Sequence, residues 1–321
     1  MGGQKILMSE KKLQNSVRFV GYLQETTLEE KVSQKGRKFI TGNVVVAVDE
    51  FNKHKVRFII FEDQGKERYE AISKFLPDNV ISVASYLKST PTATFAVASN
   101  MAAKIWIAAE FEEFVSRSGE KERTGVTLKG NSMGYCDENK KFVPDATFEV
   151  DTYIDSLVEE VEEEKETGRL IVNTIIPDYK GLAYRVDFIA PVEDNTAKFL
   201  REKYHSGDFA HLKGNLVAMR VNIATEVEEL EDSFGGGSTQ QYTTRFVRER
   251  RIKGGNRIEA FLTAEQVKQG LALREVEMDK NGQRRAAAAA AREEGSTATA
   301  EEPTPAPAPV KPVANANDFD F

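Results

Sequence analysis

The strongest constraint on this chain is that its body is written twice. VRFVGYLQETTLEEKVSQKGRKFITGNVVVAVDEFNKHKVRFIIFED begins at Val17, and TFEVDTYIDSLVEEVEEEKETGRLIVNTIIPDYKGLAYRVDFIAPVED begins at Thr147. Gly36-Arg37 falls on Gly168-Arg169 (168 − 36 = 132), whereas Val56 and Phe58 fall on Val186 and Phe188 (186 − 56 = 130). A loop between the second and third apolar runs absorbs the difference. A period of about 130 residues is too long for a solenoid repeat and fits a duplicated domain.

Each copy reads strand, strand, strand, helix, strand, strand. In the first, alternating runs occupy 17–24, 38–48 and 55–62, and Tyr69, Ile72, Phe75 and Leu76 form a helical stripe before Pro77. Apolar runs at 94–98 and 103–111 supply the last two strands. The second copy has strands at 147–157, 169–176, 183–190, 214–225 and 242–253, with a helix at 196–204. Five strands with a helix after the third match the OB-fold, a small Greek-key barrel. A mixed β-sandwich with a crossover helix is the alternative. The expected fold class is therefore mainly β: two tandem OB-fold-like five-stranded barrels, a C-terminal helix and a disordered acidic tail. The boundaries fall at 1–140, 141–260, 261–285 for the helix and 286–321 for the tail. Half of the ten prolines lie in 286–321, and Val310 and Val313 are its only aliphatics larger than Ala. Such a segment buries too little apolar surface to offset its ordering entropy. The six-alanine run at 286–291 is able to continue the preceding helix.

Charge and composition remove several classes of function. No apolar run approaches the roughly 18–20 residues of a membrane span, and the first residues lack a secretory signal or a myristoylation site. One cysteine, Cys136, excludes an internal disulfide framework and points to a reducing, cytoplasmic setting. With His54, His205 and His211 as the only histidines, no metal site is expected. No Walker loop is present, and the carboxylate run at 158–166 reads as a solvated hairpin tip. No enzyme and no cofactor are expected. The net charge of −7 is uneven: 286–321 carries 2 − 6 = −4, leaving −3 on the rest. Binding of nucleic acid depends on a local basic footprint, so the acidic total does not exclude it.

Strand parity supplies that footprint. Successive side chains point to opposite faces, so Arg18, Tyr22, Arg37, Phe39, Arg57, Lys104 and Trp106 share the outward parity of the first copy. Cations interleaved with aromatic rings suit a single strand, because charges track phosphates and rings stack on unpaired bases. The alternative for Phe39 and Trp106 is packing beneath a loop, a helix or the other barrel. In the second copy the candidates are Tyr153, Arg169 and Arg185. Its last strand adds Arg245, Arg248, Arg250, Arg251 and Lys253 against one acid, Glu249.

The chain ends in Asp318-Phe319-Asp320-Phe321 after a low-complexity tether. A barrel-forming body, such a tether and an acidic tip closed by Phe resemble the single-stranded-DNA-binding proteins of bacteria and bacteriophages. It departs from the usual bacterial protein in having two barrels per chain and in not ending Pro-Phe, which makes it more similar to a phage replication protein. The resemblance implies sequence-independent binding of single-stranded DNA in replication, recombination or repair, in the host cytoplasm if phage-encoded. It also implies that Asp318, Phe319, Asp320 and Phe321 dock replication and recombination proteins. The alternative is a replisome or recombination adaptor whose OB-folds bind protein, with little DNA affinity.

Overall fold

Alternating burial sets the first sheet. Along β1 (Asn15–Thr26), Val17, Phe19 and Leu23 are buried while Arg18 is exposed. The computed structural model describes residues 13–118, 121–162, 164–178, 181–225, 241–260 and 262–296. After β1 come a short exposed β2 (Glu29–Val32), β3 (Lys38–Ala47) and β4 (Lys53–Phe61). Three helices follow, α1 (Lys66–Ser73), α2 (Val83–Ser89) and α3 (Phe95–Met101), then β5 (Lys104–Ser118) and β6 (Lys121–Tyr135). Strand β1 pairs with β3 and β5, β3 with β4, β4 with β6, and β6 with β5, closing a ring. Only the β4–β6 contact is parallel. Phe19, Phe58 and Ile107 fill the interior, as expected for a barrel too small to hold a cavity.

Two expectations for this barrel need correction. The run at 94–98 is not a strand: Thr94 caps α3 by accepting from the Val97 N–H at 3.5 Å, and Ala98 and Ser99 turn inward. The run at 103–111 is then the fourth barrel strand, and β6 is the fifth. Strand β6 was not evident because it presents Gly125, Gly130 and Gly134 where alternation would be read. Gly130 has to be bare, since a Cβ there would stand 2.3 Å from the Phe58 ring.

The second barrel follows the expected order throughout. It consists of β7 (Asp145–Glu162), β8 (Lys165–Pro177), β9 (Ala183–Ala190), α4 (Thr196–Lys203), β10 (Phe209–Thr225) and β11 (Gln241–Arg257). The ring β7–β8–β9–β11–β10 closes through β10–β7, again with its third and fifth strands parallel. Helix α5 (Ala264–Ser296) runs through the alanines at 286–291 and so extends past residue 285, consistent with alanine's high helix propensity. Its first turns belong to the compact unit that ends at Arg274; Glu275 opens a second unit. The tail beyond Ser296, with its acidic tip, lies outside the described residues.

The barrels join through their first strands. Strand β1 pairs antiparallel with β7, Val17 opposite Phe148. The matching bulges after Leu23 in β1 and after Ile154 in β7 set the offset of these strands at 131 (154 − 23), so Val17 and Phe148 (148 − 17 = 131) are counterparts facing each other, which marks an approximate two-fold axis. A reciprocal clasp reinforces the join. The Tyr184 hydroxyl on β9 donates to the Phe111 carbonyl on β5, and the His54 ring on β4 interacts with the Leu216 backbone on β10. His54 and Tyr184 are counterparts (184 − 54 = 130), and Phe111 and Leu216 each lie two residues beyond the bulge of their strand. Phe111 also packs at 6.0 Å from Phe148 and 5.8 Å from Phe188, so one apolar core runs through both barrels.

Candidate nucleic-acid interface

The outer face of β3 and β4 carries the clearest site. Phe39 and Phe61 are direct cross-strand partners, and their rings stack at 5.2 Å with 28° between planes. The Arg37 guanidinium lies 4.5 Å over the Phe61 ring and makes two hydrogen bonds to Asp63, at 2.6 and 2.8 Å. That bidentate bond raises the Arg37 pKa and holds the Asp63 carboxyl below its ordinary range. Farther along β4, Ile59, Arg57 and Lys55 point outward and are exposed. From Lys55 to Phe61 this strip measures about 20 Å at a strand rise of about 3.3 Å per residue. It is the strand-two and strand-three face that OB-folds use for oligonucleotides.

The other outward residues of the first barrel gather elsewhere. Tyr22 sits edge-on to Phe142 at 5.0 Å and Phe95 at 6.3 Å, within a small cluster built around Val83, Ala98 and Ala102. The Lys104 ammonium stands 5.2 Å from the Phe142 ring. Trp106 is half-buried and lies on Gly134, where a Cβ would come within 2.9 Å of the indole Nε1. Arg18 is exposed on β1; burial pushes the Cys136 thiol pKa up, and the charges of Arg18 and Lys104 oppose that shift. These residues belong to β1 and β5, whereas Phe39 lies at the start of β3, with Arg37 just before it, remote from Ala47, the partner of Tyr22. The structure thus divides the expected basic-aromatic face into two groups, and packing already engages Tyr22 and Trp106.

In the second barrel many candidates are tied down. Tyr153 packs at 5.4 Å against Phe209, in a cluster with Val267 of α5. Arg169 reaches Glu249 at 2.6 Å and Glu160 at 3.3 Å, and Arg251 reaches Glu249 at 2.6 Å. Burial pushes the Glu249 carboxyl up, but hydrogen bonds from both guanidiniums outweigh it and hold the pKa low. Arg250 donates to the Asp187 carbonyl at 2.6 Å. Arg185, Arg245, Arg248 and Lys253 are exposed, with Arg245 at 3.9 Å from Glu162. Sequence reasoning missed two rings. Phe61 lies outward by parity, but only the register makes it Phe39's partner. Phe246, 67% exposed, lies within the arginine-rich strand β11, and its place in the run Arg-Phe-Val-Arg was the available signal.

The sequence matches the YorF family model over residues 14–284, and no curated protein matches it. Among solved structures, the chain is similar to the wild-type single-stranded DNA binding protein from Thermus aquaticus. Identity is 12%, 78% of this chain and 95% of that chain are covered, and the TM-score is 0.43. A deletion mutant of the Thermus aquaticus protein aligns at 12% identity over 79% and 98%, with a TM-score of 0.44. A replication protein A heterotrimer bound to single-stranded DNA aligns at 12% identity over 66% of this chain and 46% of that chain, with a TM-score of 0.18.

Proposed function

This chain belongs to the YorF family, and from its surface we propose that it binds single-stranded DNA with little sequence preference and without catalysis. The stacked pair Phe39–Phe61 on the second and third strands of the first barrel, flanked by Arg37 just before β3 and by Arg57 on β4, carries the reading. Every base presents a π-face, so stacking on such rings tolerates any sequence. Arg57 and Lys55 are open to solvent and free to meet phosphates. The role of a strand-coating protein in replication, recombination or repair, in a phage setting, follows from the same reading. So does recruitment of partner proteins by Asp318, Phe319, Asp320 and Phe321, which rests on the sequence of the tip alone.

The test is fluorescence anisotropy of labelled oligo(dT) across a salt series. Log affinity is expected to fall linearly with log salt, by about 0.7 per phosphate neutralised. Phe39→Ala and Phe61→Ala are each expected to weaken binding by about 5- to 150-fold, the value of one base–aromatic stack. Absence of binding at low salt would refute the proposal and leave the protein-binding adaptor in its place.

A further inference from the structure

The two barrels follow the same path but differ in chemistry, and the clasp between them brings like with like. Each barrel's hairpin of fourth and fifth strands meets the other barrel at its third strand. The Ala218 N–H on β10 donates to Asn52 Oδ1 at 2.8 Å, so the β10–β11 hairpin rests on the turn end of β3–β4. In the reciprocal contact, the β5–β6 hairpin meets β9 through Phe111 and Tyr184.

The β10–β11 hairpin is basic and aromatic. Phe246 lies directly opposite Arg220 and shares its parity on β11 with Arg248, whose charge reaches His54 on β4. The strip it joins carries Phe39, Phe61 and Arg57. The β5–β6 hairpin is mixed in charge instead, and next to the junction its acids are paired, Glu110 and Glu112 to Lys129 and Glu113 to Arg274. The face it joins repeats the β3–β4 ladder at an offset of 130, with Leu170 opposite Ala190 as Ile40 is opposite Ile60. It has Arg169, tied to Glu160 and Glu249, where the first barrel has Phe39, and Asp187 in place of Arg57, while Arg185 keeps the cation of Lys55. The stacked rings and open cations therefore converge at one of the two equivalent junctions; the other has no stacked pair among the described residues, an acid at the place of Arg57, and charges such as Arg169 and Lys129 that are held by carboxylates.

We infer that the single strand is held at one composite site, made by the β3–β4 face of the first barrel and the β10–β11 hairpin of the second, and that the equivalent junction does not bind it. This rests on the proposed DNA binding and adds where the strand runs. A strand crossing from Phe61 toward Lys55 leaves the first barrel where Phe246 and Arg248 of the second receive it.

The experiment uses the full chain and oligo(dT) of about 16 nucleotides, the upper end of one OB-fold's footprint. Phe246→Ala is expected to weaken binding by about 5- to 150-fold. Arg220→Ala with Arg248→Ala is expected to flatten the salt slope by about 1.4, two phosphate contacts at about 0.7 each. Ile171→Ala on the equivalent face is expected to bind as wild type. Thermal melting of each variant checks that the fold is intact. If Phe39→Ala weakens binding while Phe246→Ala and the double arginine variant do not, the composite site is overturned and DNA binding by the first barrel stands. If Ile171→Ala weakens binding as much as Phe246→Ala, the asymmetry is overturned. If wild type binds no oligo(dT), the functional reading falls and the composite site with it.

Discussion

Acidification tests the clasp, because its two counterpart residues respond differently to protons. His54 is 8% exposed, its ring lies 5.2 Å from that of Phe19, and its Nε2 is buried without a hydrogen-bond partner. Burial first, and the charge of Arg248 second, lower its pKa from 6.5 to about 4; Asp49 and the Leu216 backbone only partly oppose them. The folded pKa lies below the unfolded one, so the unfolded chain binds the proton more readily. Stability from this group is complete above pH 6.5, falls as pH drops from 6.5 towards 4, and levels off below. A gap of about 2.5 units corresponds to about 3 kcal/mol. His54→Phe removes that component. At neutral pH the variant is expected to be no less stable than wild type, since Phe keeps an aromatic ring there and removes a buried orphan nitrogen (about 1–3 kcal/mol). Urea unfolding of both proteins between neutrality and pH 4 measures the difference, because carboxylates common to both cancel. Parallel stability curves over that window would refute the reasoning.

Other perturbations separate structure from binding. Tyr184→Phe is expected to lower stability by about 1–2 kcal/mol, read as a urea midpoint shift at constant m-value, with oligo(dT) affinity unchanged. The loss is modest because the Phe111 carbonyl keeps the Asn15 amide at 3.1 Å. Gly134→Ala is expected to lift the indole of Trp106, the only tryptophan, off β6. This shifts its emission and lowers stability by about 1–3 kcal/mol; unchanged emission would show that the ring is not seated there. Deleting 318–321 is expected to leave DNA affinity unchanged or slightly raised at low salt while abolishing capture of host replication proteins; weakened DNA binding with retained partners would place the tip in the DNA site.

The second barrel was legible because its strands spell out their period: Val172 and Thr174, then Val186 and Phe188, alternate with outward residues. The first barrel was legible through β4 and again at β5. The segment TFAVA at 94–98 misled because four apolar residues are too few for periodicity to separate helix from strand, and the deciding signal was the capping Thr94. The glycines of β6 erased its alternation. At the candidate site, parity gave the outward faces correctly for β4 but not which outward residues meet. That Phe39 faces Phe61, or that Arg169 spends its charge on Glu249 eighty positions away, follows from register and closure of the ring, which no local pattern encodes.

The β1–β7 seam has a consequence for how this molecule is able to vary. Two identical subunits meeting across such a seam would form an isologous contact, in which every substitution appears twice and must suit both sides. Here both halves belong to one polypeptide, so their association is intramolecular, at an effective concentration in the millimolar range for a short connection. The seam no longer depends on protein concentration, and each half is free to mutate alone. That freedom lets a histidine occupy one side of the clasp and a tyrosine the other.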